Sequence, residues 1–134
     1  MGTWGTRSFE NDTALDWTEE LCSSRGTREI VKVLDQQEDE GYLEAWAAQQ
    51  IIAACEVIAA LTGKVDIDLP DNLLAWLHDN SSLHPEELTH RAVAKLERIL
   101  GDESELQQLW AENEEDYQSW VEQIRGLIRR LTSD

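Results

Sequence analysis

Apolar residues recur at helical spacing through most of the chain. In the first such segment, Ala14, Trp17 and Leu21 follow one another at i, i+3 and i+7, which places them on one face of a helix. Asn11 or Asp12 is suited to cap this helix, because a short polar side chain accepts a backbone N–H of the first turn. Strand-like alternation of apolar and polar residues is almost absent. The pattern therefore predicts an all-α protein.

The segment TREIVKVLDQQEDEG allows two interpretations. Ile30, Val31 and Leu34 fit a helical stripe, whereas Ile30, Val31 and Val33 are β-branched and suit a short strand. Nothing nearby offers a strand partner, so we favour a helix over residues 28–34.

The most apolar stretch, AWAAQQIIAACEVIAAL, lies in a helix predicted from about residue 42 to 61. Its alanines allow neighbouring helices to approach closely, and Gly63 is expected to end it. Gln49, Gln50 and Glu56 interrupt the stretch, which is also short for a membrane span. We therefore expect a core helix enclosed by other helices, and no membrane segment.

The second half of the chain predicts two shorter helices and a longer one. Pro70 and Pro85 each suit the first turn of a short helix. Ser104 and Gln107 then match a capping box. From 104 to 132 the apolar residues keep helical phase, which favours one long C-terminal helix, straight or kinked, with a break within ENEED as the alternative.

Together these elements predict a single domain over residues 1–134, a compact bundle of about five to six helices around the Ala-rich one. A chain of 134 residues is long enough to bury a core without metals or disulfides. Residues 1–10 are expected to form an arm, because Gly2 and Gly5 disfavour helix. We expect Trp4 and Phe9 to pack near Trp17 and so to hold the arm against the bundle.

Charge is the extreme feature of the composition. The chain has 28 acidic and 11 basic residues, a formal net charge of −17, and the acids lie in both halves. Direct binding to nucleic acid or an anionic membrane is not expected, because a phosphate backbone needs a basic footprint. A basic partner protein fits this charge, and solubility alone also explains it. Mimicry of nucleic acid would need rows of carboxylates, whereas these are scattered.

Cysteine usage indicates a reducing compartment. Cys22 and Cys55 lie at helical positions among apolar neighbours, without a CxxC spacing or a signal peptide. We expect two reduced, buried thiols in a cytoplasmic protein, with a disulfide between them as the alternative.

Motifs for metal or catalytic chemistry are weak. The histidines, at positions 78, 84 and 90, lack the i, i+4 spacing of a helical metal pair. The loop DIDLPDN holds Asp66, Asp68 and Asp71, yet it lacks the glycine and distal Glu of a calcium-binding EF-hand. Asp68 is better explained as a helix cap ahead of Pro70. We therefore predict no metal site, no cofactor and no catalytic residue.

Two carboxylates near the N-terminus are the strongest candidates for a site. Asp12 and Asp16 are four residues apart, so they project from one face of the first helix. Such a pair does acid–base work if burial raises one pKa. Asp12 is fully explained at a helix start, where the dipole favours negative charge. Asp16 stands beside Trp17, and we expect it to accept a hydrogen bond from the arm.

The opening MGTWGTRSFENDTALDW resembles the signature M-G-x-W-G-x-x-x-F-x-N-D-x-A-x-D-W of a family of small, mainly bacterial proteins known only as a domain of unknown function. The matching positions are Gly2, Trp4, Gly5, Phe9, Asn11, Asp12, Ala14, Asp16 and Trp17. An Ala-rich helix, SELQQLW and a closing Trp-bearing helix follow in the family's order. Arg7 departs from the pattern, where glycine is expected. The resemblance implies no activity, cofactor or partner.

Two classes of function are consistent with these features. The first is a non-enzymatic interaction module, of the inhibitor or immunity type, whose acidic surface binds a basic protein. The second is an enzyme or small-ligand binder with a cleft where Asp12, Asp16 and Trp17 meet. We favour the first, because no catalytic spacing is found. The sequence does not set the oligomeric state. The candidate ligand or interaction residues are Trp4, Phe9, Asn11, Asp12, Asp16 and Trp17.

Overall fold

The structure, a computed structural model, describes residues 5–35, 41–64 and 67–133. Within these ranges the chain forms seven α-helices and one 3₁₀-helix, and its one extended pairing is an isolated parallel bridge between Leu43 and Ser104. The helices are α1 (Asp12–Cys22), α2 (Arg28–Asp35), α3 (Ala45–Leu61), α4 (Asp71–Asp79), α5 (Thr89–Ile99), α6 (Glu105–Ala111) and α7 (Glu114–Thr132), with the 3₁₀-helix at Pro85–Leu88. The prediction of an all-α bundle is confirmed.

Helix α3 is the centre of the bundle. It packs against α1, α2, α5, α6 and α7, and its residues from Ala47 to Ala59 are buried apart from Gln49 and Gln50. Small alanine side chains let these neighbours approach, and burial of the helix on all sides explains its lack of a polar face. The helix ends where Gly63 takes φ +77°, as predicted. Across the residues described, none of the helices is both long and apolar enough to cross a bilayer.

Helix α1 begins as its sequence predicts. Asn11 is the cap, and its Oδ1 accepts a hydrogen bond from the Ala14 N–H at 2.7 Å. Asp12, the other capping candidate, is instead the first helical residue, where its charge suits the helix dipole. Trp17 and Leu21 face the core together with Ala14.

Residues 28–34 belong to helix α2, so the helical interpretation of this segment is confirmed. Ile30, Val33 and Leu34 are buried, at i, i+3 and i+4, against α1, α3 and α5. Contact with three helices outweighs the strand preference of the β-branched residues, because no described strand is available to pair with them.

The C-terminal segment is two helices, so the prediction of one long helix over 104–132 is wrong. The chain breaks within ENEED, where Asn113 caps α7 by accepting the Asp116 N–H on its Oδ1 at 3.3 Å. The apolar phase survives the break because α6 packs back on α7, and the ring centroids of Trp110 and Trp120 lie 6.4 Å apart. The Asn113 cap therefore sets the helix boundary here, although the apolar pattern continues through it.

Two expected caps form only in part. Ser104 Oγ accepts the Gln107 N–H at 3.3 Å, but the Gln107 side chain donates to Tyr117 Oη at 2.9 Å and does not complete the capping box. Helix α4 begins after Pro70 without a side-chain cap, so the capping role predicted for Asp68 is wrong.

Candidate functional site

The arm is held to the bundle by buried residues. Phe9 belongs to the hydrophobic core, and Ser8 beside it is also buried. Trp4 lies outside the described residues, so its expected packing near Trp17 stays a prediction. The arm is therefore anchored from residue 8 onward.

Among the described residues, the carboxylate pair does not meet Trp17 in a cleft. Asp12 and Asp16 are both exposed, whereas Trp17 is buried. The Asp16 carboxylate makes no hydrogen bond or ion pair within the part of the chain described, so the bond expected from the arm is not found there. The Trp17 Nε1–H is buried, and none of the described residues accepts it.

No described cavity supports a cleft at these residues. Asp12, Asp16 and Trp17 line none of three cavities found among the described residues. The cavity under the arm, which Asn11 and Trp120 help to line, has about 20 Å³ of free space. That is room for about one water molecule, and far less than a substrate needs.

The interior holds a charged network that the sequence analysis missed. Glu56 lies in the middle of α3 and is 0% exposed. Arg130 of α7 donates to both of its oxygens, from Nη1 to Oε1 at 3.0 Å and from Nη2 to Oε2 at 3.1 Å. Ser8 Oγ donates to the same Oε2 at 2.7 Å. The network ties the arm, the central helix and the last helix together.

This network is structural in character. A buried carboxylate is strongly unfavourable unless it is paired, and Glu56 receives a bidentate guanidinium and a hydroxyl donor. The clue in the sequence was a lone Glu within the most apolar helix, since glutamate is almost never fully buried without a partner. Its partners lie 48 and 74 residues away along the chain. Spacing along the sequence therefore could not identify them.

A second cluster lies on the surface, where the start of α3 meets the start of α6. Tyr42 and Trp46 are 46% and 45% exposed. Trp46 Nε1 donates to Glu44 Oε2 at 2.6 Å, and the Ala45 N–H donates to Glu105 Oε1 at 2.7 Å. We call Tyr42, Glu44, Trp46, Glu103 and Glu105 the acidic-aromatic surface.

The titration of Tyr42 reflects its acidic surroundings. Partial desolvation raises the pKa of the phenol first, and the negative charges of Glu105 and Glu103 raise it further. A phenolate would be repelled there by both carboxylates. The same local potential favours a positively charged ligand.

The two cysteines are free thiols, and Cys55 is buried as expected, whereas the prediction of a buried Cys22 is wrong because that side chain is partly exposed. Burial, followed by the charge of Glu56, raises the pKa of Cys55 well above its ordinary value. Burial and then Glu19 raise the pKa of Cys22. Because the thiolate is the reactive form, neither environment activates a nucleophile.

Metal-binding groups are sparse in the part of the chain described. No cluster of three His, Cys, Asp or Glu side chains suited to a metal ion is found among those residues. Asp66, one of the three acids of the DIDLPDN loop, lies outside the described residues.

The geometry defines an all-α protein with a paired charge inside the core and exposed aromatics among carboxylates on its surface. The model of a family described as a domain of unknown function (DUF4259) matches residues 2–123, and the chain belongs to that family. No curated protein and no solved structure shows a significant match to the chain.

Proposed function

We propose that this protein is a non-enzymatic interaction module that binds a basic protein through the acidic-aromatic surface. The observation that carries the proposal is the exposure of Tyr42 and Trp46 beside three carboxylates. The buried signature residues Phe9, Asn11 and Trp17 take no part in it.

Exposed aromatic side chains are costly to leave in water and valuable in interfaces. Three other tryptophans, Trp17, Trp76 and Trp120, are buried in this fold, whereas Trp46 exposes nearly half of its surface. Tyrosine and tryptophan are enriched among the residues that dominate binding energy. Leu109, which follows the Tyr42 partner Gln108 on α6, is a further large apolar side chain that is 52% exposed.

The surface is held in place by a set of short contacts. The Leu43 N–H donates to the Glu103 carbonyl at 2.7 Å, and the Glu105 N–H donates to the Leu43 carbonyl at 2.9 Å. Tyr42 Oη donates to Gln108 Oε1 at 2.8 Å. A preorganised surface loses less conformational entropy when a partner binds, which favours affinity.

Charge selects the class of partner. A formal net charge of −17 attracts basic proteins over distances of about a Debye length, ~8 Å at physiological salt. At the surface itself, Trp46 offers a ring face to a Lys or Arg side chain, with Glu44 and Glu105 close enough to pair with neighbouring cations. This chemistry suits an inhibitor or immunity-type protein that covers a basic site.

The proposal is tested by capture from a lysate of the source organism, followed by reconstitution with the purified captured protein. We expect a basic protein that binds directly and whose affinity falls as salt is raised. In the double variant Tyr42→Ser/Trp46→Ser, the dissociation constant should rise by about 100-fold, as for loss of two anchors of about 1–2 kcal/mol each.

Leu74→Ser is the matched control, because Leu74 is 51% exposed on α4, away from the acidic-aromatic surface. It should leave the affinity within about twofold of the native value. Equal binding by native protein and the double variant would overturn the proposal, as would the absence of any direct basic partner after reconstitution.

A further inference from the structure

One groove contrasts with the acidic character of the chain. It is open to solvent, has a volume of about 360 Å³ and lies between the arm and α7. Its polar lining comes from Arg7, Glu122, Gln123, Gly126, Arg129 and Arg130. Three of the chain's 11 basic residues therefore meet at one groove.

The local charge balance is positive. Arg130 is matched by the buried Glu56. Glu122 is shared between two arginines, with Arg129 at 3.6 Å and Arg125 at 3.9 Å. The exposed Arg7 guanidinium makes no ion pair or hydrogen bond with a described residue. The lining of the groove thus carries three arginines against one carboxylate, Glu122, in a chain where acids outnumber bases, while Glu10 and Asp68 lie with Arg7 around a neighbouring cavity.

Gly126 is a second feature of the groove. A glycine inside a helix destabilises it by about 1 kcal/mol relative to alanine. Packing does not require glycine here, because an added Cβ would meet its nearest neighbour, Arg129 Nη2, at an ordinary 3.8 Å. Because Gly126 has no side chain, the groove stays open beside Arg129.

We infer that this groove binds a small molecule through its phosphate or carboxylate oxygens. Guanidinium groups present planar pairs of donors that match such oxyanions, and Gln123 adds a neutral amide. The volume falls within the range of small-molecule sites, about 300–1,000 Å³. A long polyanion would be repelled by the surrounding acids, whereas a small anion inside the groove is shielded from charges farther away than about 8 Å at physiological salt.

The test is a titration of the ¹⁵N-labelled protein with pyrophosphate, inorganic phosphate and citrate at about 150 mM salt. We expect amide shifts concentrated in residues 5–10 and 122–130. In Arg7→Gln/Arg129→Gln the dissociation constant should rise by about tenfold or more. Tighter binding of pyrophosphate or of citrate identifies a phosphate or a carboxylate ligand.

Arg25→Gln is the matched control, since Arg25 is an exposed arginine in the turn after α1 and does not line the groove. It should change the dissociation constant by less than about twofold. Shifts spread over the whole surface, an equal effect of the Arg25 variant, or no shifts at about 10 mM anion would each overturn the inference.

Gly126→Ala provides a test in which weaker binding cannot be explained by loss of the fold. It should raise the thermal midpoint, because alanine favours helix, and yet weaken anion binding several-fold by narrowing the groove. Unchanged binding in this variant and in Arg7→Gln/Arg129→Gln contradicts the inference. The groove is separate from the acidic-aromatic surface, so Tyr42→Ser/Trp46→Ser should leave anion binding intact.

Discussion

Glu56 and Glu44 carry the same carboxylate and lie on or beside the same helix, yet their surroundings give them opposite roles. Glu56 is fully buried, and Ser8 and Arg130 surround it with donors. Glu44 is exposed at the start of α3, where it accepts the indole N–H of Trp46. The difference teaches that burial decides whether a charge holds the fold together or remains available to a partner.

The energetic reason lies in solvation. A carboxylate removed from water must recover its hydration energy from fixed donors, so each donor to Glu56 is tightly coupled to folding. An exposed carboxylate keeps its water, and exposed pairs contribute only about 0–1 kcal/mol. Substitutions in the two regions should therefore affect different measurements, stability in one and binding in the other.

The largest expected effect is that of Glu56→Ala. It leaves Arg130 and Ser8 without their acceptor and removes buried packing, so the free energy of unfolding should fall by about 3–5 kcal/mol. Urea unfolding, monitored through tryptophan fluorescence, measures this free energy. Glu122→Ala, which removes a carboxylate 59% exposed, should stay within about 0.5 kcal/mol of native. A loss below about 1 kcal/mol for Glu56→Ala would refute the structural role.

A double variant separates the charge from the packing. Arg130→Met alone leaves a buried, uncompensated carboxylate, whereas Glu56→Leu/Arg130→Met replaces the pair with apolar groups. The double variant should be more stable than Arg130→Met by at least about 1 kcal/mol, despite carrying one more substitution. If the stability losses of Glu56→Leu and Arg130→Met, each measured alone, simply add up in the double variant, the two side chains are not coupled.

Ser8→Ala should have the next largest effect. It removes a hydrogen bond to a charged, buried acceptor, and we expect a loss of about 1.5–3 kcal/mol. Amide hydrogen exchange of residues 5–10 should speed up with it, because the arm loses its polar anchor. Ser23→Ala, at an exposed serine, is the control and should change stability by less than about 0.5 kcal/mol. Unaltered exchange in the arm would argue against an anchor at Ser8.

Alkaline pH should weaken the interior through Cys55. The folded pKa of this thiol is raised, so the folded state keeps a proton that the unfolded state loses at about pH 8.5. Stability is therefore unaffected well below pH 8.5 and falls as pH rises past it, by about 1.4 kcal/mol at pH 9.5. Urea unfolding of the native protein and of Cys55→Ala, each measured well below pH 8.5 and again at about pH 9.5, isolates this contribution. Identical slopes in the two proteins would rule it out.

The smallest stability effect is expected at the acidic-aromatic surface. Trp46→Ser should change the free energy of unfolding by about 1 kcal/mol or less, because the side chain is 45% exposed. Its effect should appear in partner binding. Thermal unfolding measures the change in stability. Trp76→Ser serves as a buried comparison, with an expected loss of stability of about 3 kcal/mol or more. A large loss at Trp46 would assign that residue to the core.

Much of the fold followed from local patterns, and the errors arose where local patterns competed. The stripe of α1 and its Asn11 cap were predictable, because both depend on residues within one or two turns. The break at Asn113 was predicted only as the less favoured alternative, since a capping side chain and a continuous apolar stripe favoured different outcomes. The structural role expected for Asp16 assumed contact with the arm, which the sequence cannot orient, and the cleft at Asp12, Asp16 and Trp17 was the alternative.

The sequence by itself determined the all-α class, the central position of the Ala-rich helix and the overall negative charge, because composition and helical periodicity express these directly. Only the tertiary structure decided which charges are buried and which side chains meet. Ser8, Glu56 and Arg130 are distant in sequence and become neighbours only when three segments pack. Tyr42 and Trp46 stay about half exposed, because the packing of α6 against the start of α3 leaves part of both side chains in contact with solvent.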